Sequence, residues 1–388
     1  MTDLKKMCKI IDERKEELYD LLCSLIKINS EDFGSTGNEK ECAEYISKLC
    51  REMGLETEVY SPLEIDGFSG HPDYRDGRGL ENRPNVTAHW KGATDENALM
   101  LMAHSDTEII GDRANWSFEP LLGEVRDGKI WGRGACDDKY AIATALFIIR
   151  LLKEQGFVPK KNILFTAYCD EEKGGSNGAL AACLKYPCDR IVNMDCKSFE
   201  IWHCASGGGS FRYRWHTEKP VDNARLTAQA ISYIMEEVDA FGARRTAELA
   251  QNRFYAGTVI PASALRYMDI RAGNRGADLG CGSISFSLYT DKTKEEIYAE
   301  YAEIEARLRE KLKPLGIIGE GFECTNRFFH YVYTEPDCSS IVDMREAAKE
   351  TTGRELKVCG SCLSDLSFIS MQRLKRILLG SMPSSLPC

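Results

Sequence analysis

The chain has 388 residues, with 50 Lys+Arg against 60 Asp+Glu and a net charge of −10 at pH 7. That balance provides no general attraction for nucleic acid, and 43% hydrophobic with 28% charged residues is too apolar for a disordered chain. One core seldom grows past ~250–300 residues, so two domains, or one large domain carrying an insertion, are expected.

The opening MTDLKKMCKIIDERKEELYDLL lacks the apolar run of a signal peptide, and no stretch approaches the ~20 apolar residues of a membrane span. The 16 cysteines are scattered through apolar runs, as buried thiols would be. A cytoplasmic location without a membrane partner is therefore expected.

In chain order, apolar residues at helical spacing predict a helix within 4–28 and a second over 38–53. Short β-like runs follow at 55–60 (LETEVY), 85–90 (NVTAHW) and 98–104 (ALMLMAH), the last apolar on both faces like a central strand. A helix over 140–155, a strand at 162–168, a short helix at 177–184 and a strand at 190–195 complete an alternating pattern. The fold class is α/β, a mixed sheet flanked by helices. After Ser206 a glycine cluster precedes a strand FRYRWHT, a helix over 223–241, a strand at 263–270, a loop GADLGCG, a strand at 283–290 and a charged helix over 292–313. These units between glycine-rich joints predict a smaller α+β domain, residues 206–319, inserted into a domain formed by 1–205 and 320–388.

Four motifs fall at strand ends, where open α/β sheets place their ligands. After the strand at 98–103, His104-Ser105-Asp106 offers an imidazole for a metal and a carboxylate to support it, although a lone His-x-Asp is also an ordinary polar turn. Gly132-Arg133-Gly134-Ala135-Cys136-Asp137-Asp138-Lys139 sets two aspartates at a helix start, where either could equally be an N-cap. Asp170-Glu171-Glu172-Lys173-Gly174-Gly175 crowds three carboxylates that repel one another unless cations are near; a solvated acidic turn is the alternative. Asp195 closes the run IVNMD. Together they form a nitrogen- and oxygen-rich donor set suited to Zn²⁺, Mn²⁺ or Co²⁺, with enough carboxylates for a paired-metal site.

These motifs, AHSD at 103–106, GRGACDDK at 132–139, DEEKGG at 170–175 and MD at 194–195, resemble in order and spacing those of the ArgE/DapE/aminoacylase-type family of dimetal peptidases and amidohydrolases. The resemblance covers essentially residues 5–370. It implies that His104 and Asp195 hold one metal, Asp137 bridges two, and Glu172 binds the second. It also makes Glu171 the general base and Asp106 the residue that orients His104, with a cis peptide at Asp137–Asp138. The implied activity is hydrolysis of an amide or peptide bond in a small peptide or N-acyl amino acid, with two divalent ions, most simply zinc, as cofactors. The inserted domain is implied to act as a lid and dimerisation domain, making a homodimer. Within it, His216 in WHTEKPVDNA and Arg271 in YMDIR resemble substrate-contacting residues, against the plainer readings of an exposed strand-end histidine and a structural ion pair. Thr258 stands where the family carries asparagine.

The resemblance departs at the far end. No histidine follows His330, and SFISMQRLKRILLGSMPSSLPC replaces the strand and metal-binding histidine expected after GSCLSD at 360–365. A weak second metal site is the expectation, and the alternative function is a catalytically impaired, truncated relative acting as a binding protein or a non-functional product. Cys359 and Cys362 form a lone C-x-x-C, read as structural.

Overall fold

The computed structural model describes residues 4–196, 199–219, 224–254, 263–273 and 280–370. Contacts divide the described residues into two compact units, one lying within residues 4–200 and 338–356, the other within 201–337 and 357–370.

The first unit opens with α1 (Leu4–Glu13), α2 (Lys15–Ile26) and α3 (Glu39–Glu52). The apolar stripe over 4–28 is thus two helices, because the chain turns at Arg14, whose φ of −115° and ψ of 14° are not helical. β1 (Glu56–Tyr60), β2 (Asn85–Trp90) and β3 (Asn97–His104) follow, then a hairpin of β4 (Glu124–Arg126) and β5 (Lys129–Trp131). Next are α4 (Lys139–Glu154), β6 (Asn162–Tyr168), α5 (Asn177–Lys185) and β7 (Arg190–Asn193). The sheet has the order β1-β2-β6-β3-β7. β3 runs parallel to both β6 and β7, while β1 and β2 pair antiparallel. Being covered by helices, β6 is apolar or β-branched almost throughout and buries Leu164, Phe165, Ala167 and Tyr168. Of these, Phe165 and Ala167 pack with Leu25, Ile46, Ile142, Leu146 and Ile149 from α2, α3 and α4 into the unit's core.

The second unit begins with β8 (Glu200–Ala205), whose first residue belongs to the first unit, and β9 (Gly207–Thr217). It continues through α6 (Ala224–Leu249), β10 (Leu265–Ala272), β11 (Cys281–Thr290), α7 (Lys294–Leu312), β12 (Ile317–Cys324) and β13 (Val332–Tyr333). α8 (Ser339–Thr352) returns to the first unit, and β14 (Lys357–Ser361) to the second. An antiparallel sheet β10-β11-β9-β12 is packed against α6 and α7, burying Phe211, Trp215, Phe241, Phe286 and Tyr301. A smaller sheet has the order β13-β8-β14.

The division expected at 206 and 319 differs from these contacts. β12 pairs with β9 from Ile317 to Cys324, so residues 320–337, together with 201–205 and 357–370, group with the second unit. The cause is register, since β12 supplies an edge strand to a sheet already built from β9, β10 and β11. The segment after about Ser370 and Thr258 lie outside the described residues.

Candidate metal centre

β6, β3 and β7 lie side by side and parallel, so the loops that leave their carboxyl ends emerge together. His104 ends β3 opposite Tyr168, the last residue of β6. Its neighbour Ser105 donates its N–H to Tyr168 O at 2.8 Å. On the other flank Met194 N–H reaches Met102 O at 2.8 Å, which sets Asp195 just past the end of β7. α4 begins at Lys139, so Asp137 and Asp138 lie at its amino end, joined by a cis peptide as the resemblance implied.

The imidazole of His104 is completely buried. Its Nδ1 lies 3.0 Å from the carbonyl oxygen of Asp106, which can only accept, so Nδ1 carries a proton and Nε2 is the nitrogen available to a ligand. Nε2 is 2.8 Å from Asp137 Oδ1. Ligand atoms of His104, Asp138 and Asp195 all lie within 4.8 Å of one another. Of the paired aspartates, Asp138 is enclosed and accepts the His104 N–H at 3.3 Å, whereas Asp137 is exposed. Asp138 was open to an N-cap reading in the sequence, but its side chain makes no capping bond to α4. Only the fold shows it turned toward His104.

Asp106 supports this centre in a second way. Its Oδ2 accepts the backbone N–H groups of Glu171 and Glu172 at 2.9 and 2.8 Å, fixing the acidic loop beside β3. Glu172 Oε1 in turn accepts the N–H of Glu108 at 2.8 Å. Gly175 closes this loop, and a Cβ there would lie 2.2 Å from the carbonyl oxygen of Asp170, so only glycine fits. Asp170, at φ 62°, turns away from its two neighbours. It accepts from Arg78 Nε at 2.7 Å and Arg83 Nη1 at 2.9 Å, so those arginines supply cations for one of the three crowded carboxylates. Nothing in the polar run 71–83 marked these arginines as buried partners of a motif about 90 residues away.

The electrostatics of the remaining carboxylates favour a cation. Burial pushes Glu172 up to about 7 and raises Asp138 and Asp195, all three also repelled by neighbouring carboxylates. Burial works against the His104 imidazolium, but hydrogen bonds to Asp106 and Asp137 outweigh it and hold its pKa well above the usual histidine value. Among the described residues, no lysine or arginine forms an ion pair with Asp137, Asp138 or Asp195. The buried Asp138 Oδ1 finds no hydrogen-bond donor among the described residues, while Asp106 Oδ1 stands 3.6 Å from His104 Nδ1. An unpartnered buried carboxylate oxygen beside an imidazole fits a divalent cation.

His216 and Arg271 belong to the second unit. His216 Nδ1 lies 2.9 Å from Glu320 Oε1 across β9 and β12, and Arg271 pairs with Asp269 on its own strand. Cys359 is buried and Cys362 exposed. No helix among the described residues is long and apolar enough to cross a membrane.

An uncharacterized metallohydrolase of Methanocaldococcus jannaschii is 34% identical over 167 residues, 42% of this chain and 38% of that protein. A succinyl-diaminopimelate desuccinylase of Bradyrhizobium is 35% identical over 146 residues, 37% of this chain and 35% of its own length. The chain spans less than half the length of these two relatives. In overall fold it is similar to a dinuclear metal binding peptidase of Bacillus subtilis, with a TM-score of 0.60 at 14% identity over 93% of this chain and 87% of that one. The sequence pattern of peptidase family M20/M25/M40 matches residues 100–385, a stretch that holds all four strand-end motifs. On that match the chain belongs to peptidase family M20/M25/M40.

Proposed function

We propose that the protein hydrolyses an amide or peptide bond of a small substrate, a dipeptide or an N-acyl amino acid, at the centre around His104. One observation carries this reading: an imidazole whose Nδ1 is pinned to a carbonyl stands among Asp137, Asp138 and Asp195, to which no lysine or arginine among the described residues is paired. Family membership and the desuccinylase relative support amide hydrolysis.

His104 and Asp195 are assigned to one divalent cation and Glu172 to a second, with Asp137 between them. Asp137 is preferred over Asp138 as the shared carboxylate because it is exposed, where substrate water must arrive, and faces Nε2. Asp138 is enclosed and accepts the His104 N–H, which suits it to hold the end of β3. Bound cations of this kind supply acidification of the attacking water and polarisation of the scissile carbonyl. Glu171 takes the proton from that water and delivers it to the leaving nitrogen. Asp106 keeps Glu171 in place by accepting its backbone N–H, and keeps the imidazole in one orientation through its carbonyl.

The test is metal content and turnover together. Chelated protein reloaded with Zn²⁺, Mn²⁺ or Co²⁺ should regain hydrolysis on a panel of dipeptides and N-acyl amino acids. Absence of bound metal after reloading would reject the assignment.

A further inference from the structure

We infer that Tyr140 is a positioning residue that sets the metal-ligating carboxylate of Asp195; this rests on the reading of Asp195 as a ligand given above. β7 ends at Asn193, so the stretch 194–196 has left the sheet after a last backbone bond from Met194 to Met102. Beyond that point the Asp195 N–H donates to Asn193 Oδ1 at 3.5 Å, and a phenol holds the residues on either side of it. The hydroxyl of Tyr140 lies 2.9 Å from the carbonyl oxygen of Met194 and 2.6 Å from that of Cys196, its proton shared between the two, and it accepts the Cys196 N–H at 3.4 Å. These groups bracket Asp195 on both sides. The ring stands in the first turn of α4, two residues beyond Asp138, and packs with Met194 against the core of the first unit.

Tyr140 therefore ties together two segments that reach His104 from different elements, the Asp137–Asp138 turn ahead of α4 and the strand-end loop after β7. Carboxylate ligands must be held within a fraction of an ångström, and the one local bond, from Asp195 N–H to Asn193 Oδ1, is long at 3.5 Å. Groups that orient a ligand in this way cost about 10–100-fold in metal affinity or activity when removed. Lys139 cannot substitute, because its ammonium is spent on the carbonyls of Leu25 and Ile28.

Tyr140→Phe removes the hydroxyl and keeps the packed ring. Metal-free variant and parent would be titrated with Zn²⁺ against a chromophoric chelator, alongside Asp195→Asn, with melting of the metal-free proteins and kcat and KM on a cleaved dipeptide. The expected result is a Zn²⁺ affinity reduced about 10–100-fold, a fall in kcat with KM little changed, and metal-free melting within a few degrees of the parent. Unchanged Zn²⁺ affinity in Tyr140→Phe, with affinity lost in Asp195→Asn, would overturn the role of Tyr140 alone. Unchanged affinity in Asp195→Asn would overturn the ligand assignment and the inference with it.

Discussion

Arg83 is the side chain whose removal from the first unit should be felt most. It is completely buried, and its guanidinium reaches Glu39 Oε1 from Nε at 2.6 Å, Asp170 Oδ1 from Nη1 at 2.9 Å and the carbonyl of Arg78 at 3.1 Å. Asp32 Oδ2 is 3.3 Å from Nη2. Arg78 serves Asp32 and Asp170 from the other side at 2.7 Å each and bonds the carbonyl of Glu172 at 2.9 Å. Three buried carboxylates thus face two guanidiniums, and Arg83→Met leaves them facing one. Breaking a buried pair by removing one partner costs about 3–5 kcal/mol, because the charge left behind stays dry and unpaired. Lys9→Met, which removes an exposed pair with Glu13, should cost less than ~1 kcal/mol. Urea unfolding of both variants measures the contrast. Burial already pushes Asp170 up to about 6 against the pull of both arginines, and losing Arg83 moves it higher. A carboxyl with a raised folded pKa stabilises the fold below its unfolded value and loses that contribution as pH rises through the folded one. The deficit of Arg83→Met should therefore widen from pH 6 to pH 8. A loss below ~1 kcal/mol, or a deficit that shrinks over that range, would refute the reasoning.

Other expectations follow from the same geometry. Glu171→Gln should fold and bind metal as the parent does while losing most turnover, because an amide cannot accept the proton of water; metal analysis and kcat decide it, and lost metal would make Glu171 a ligand. Asp137→Asn should lower bound metal per chain more than Asp138→Asn, measured by elemental analysis after dialysis; the reverse order would transfer the shared position to Asp138. Gly175→Ala should destabilise the first unit and lower kcat, since the added Cβ meets the carbonyl of Asp170 at 2.2 Å. Zn²⁺ at 100 times its dissociation constant should stabilise the chelated protein by about 2.7 kcal/mol, visible as a raised melting temperature.

Much of the centre is legible in the chain because its signals are local. The apolar run 98–104 announces a central strand, so His104 must sit at its end, and the run IVN does the same for Asp195. The glycines of DEEKGG announce a loop in which backbone closes on backbone, which Gly175 does against Asp170. Other features depend on partners that sequence spacing does not name. Arg78 and Arg83 look like polar residues of a turn-rich stretch, yet Asp170 is 92 and 87 residues away along the chain and in direct contact. Three adjacent carboxylates read alike in sequence, and a positive φ at one of them turns Asp170 to the arginines. Asp137 and Asp138 share every local property, and the direction in which α4 leaves the turn decides which is enclosed and which is exposed. The edge position of β12, next to β9 from about 100 residues earlier, is of the same kind. Periodicity and turn chemistry are properties of neighbouring residues and survive in the one-dimensional string. Register and charge pairing between distant segments come into being only when the chain closes its core.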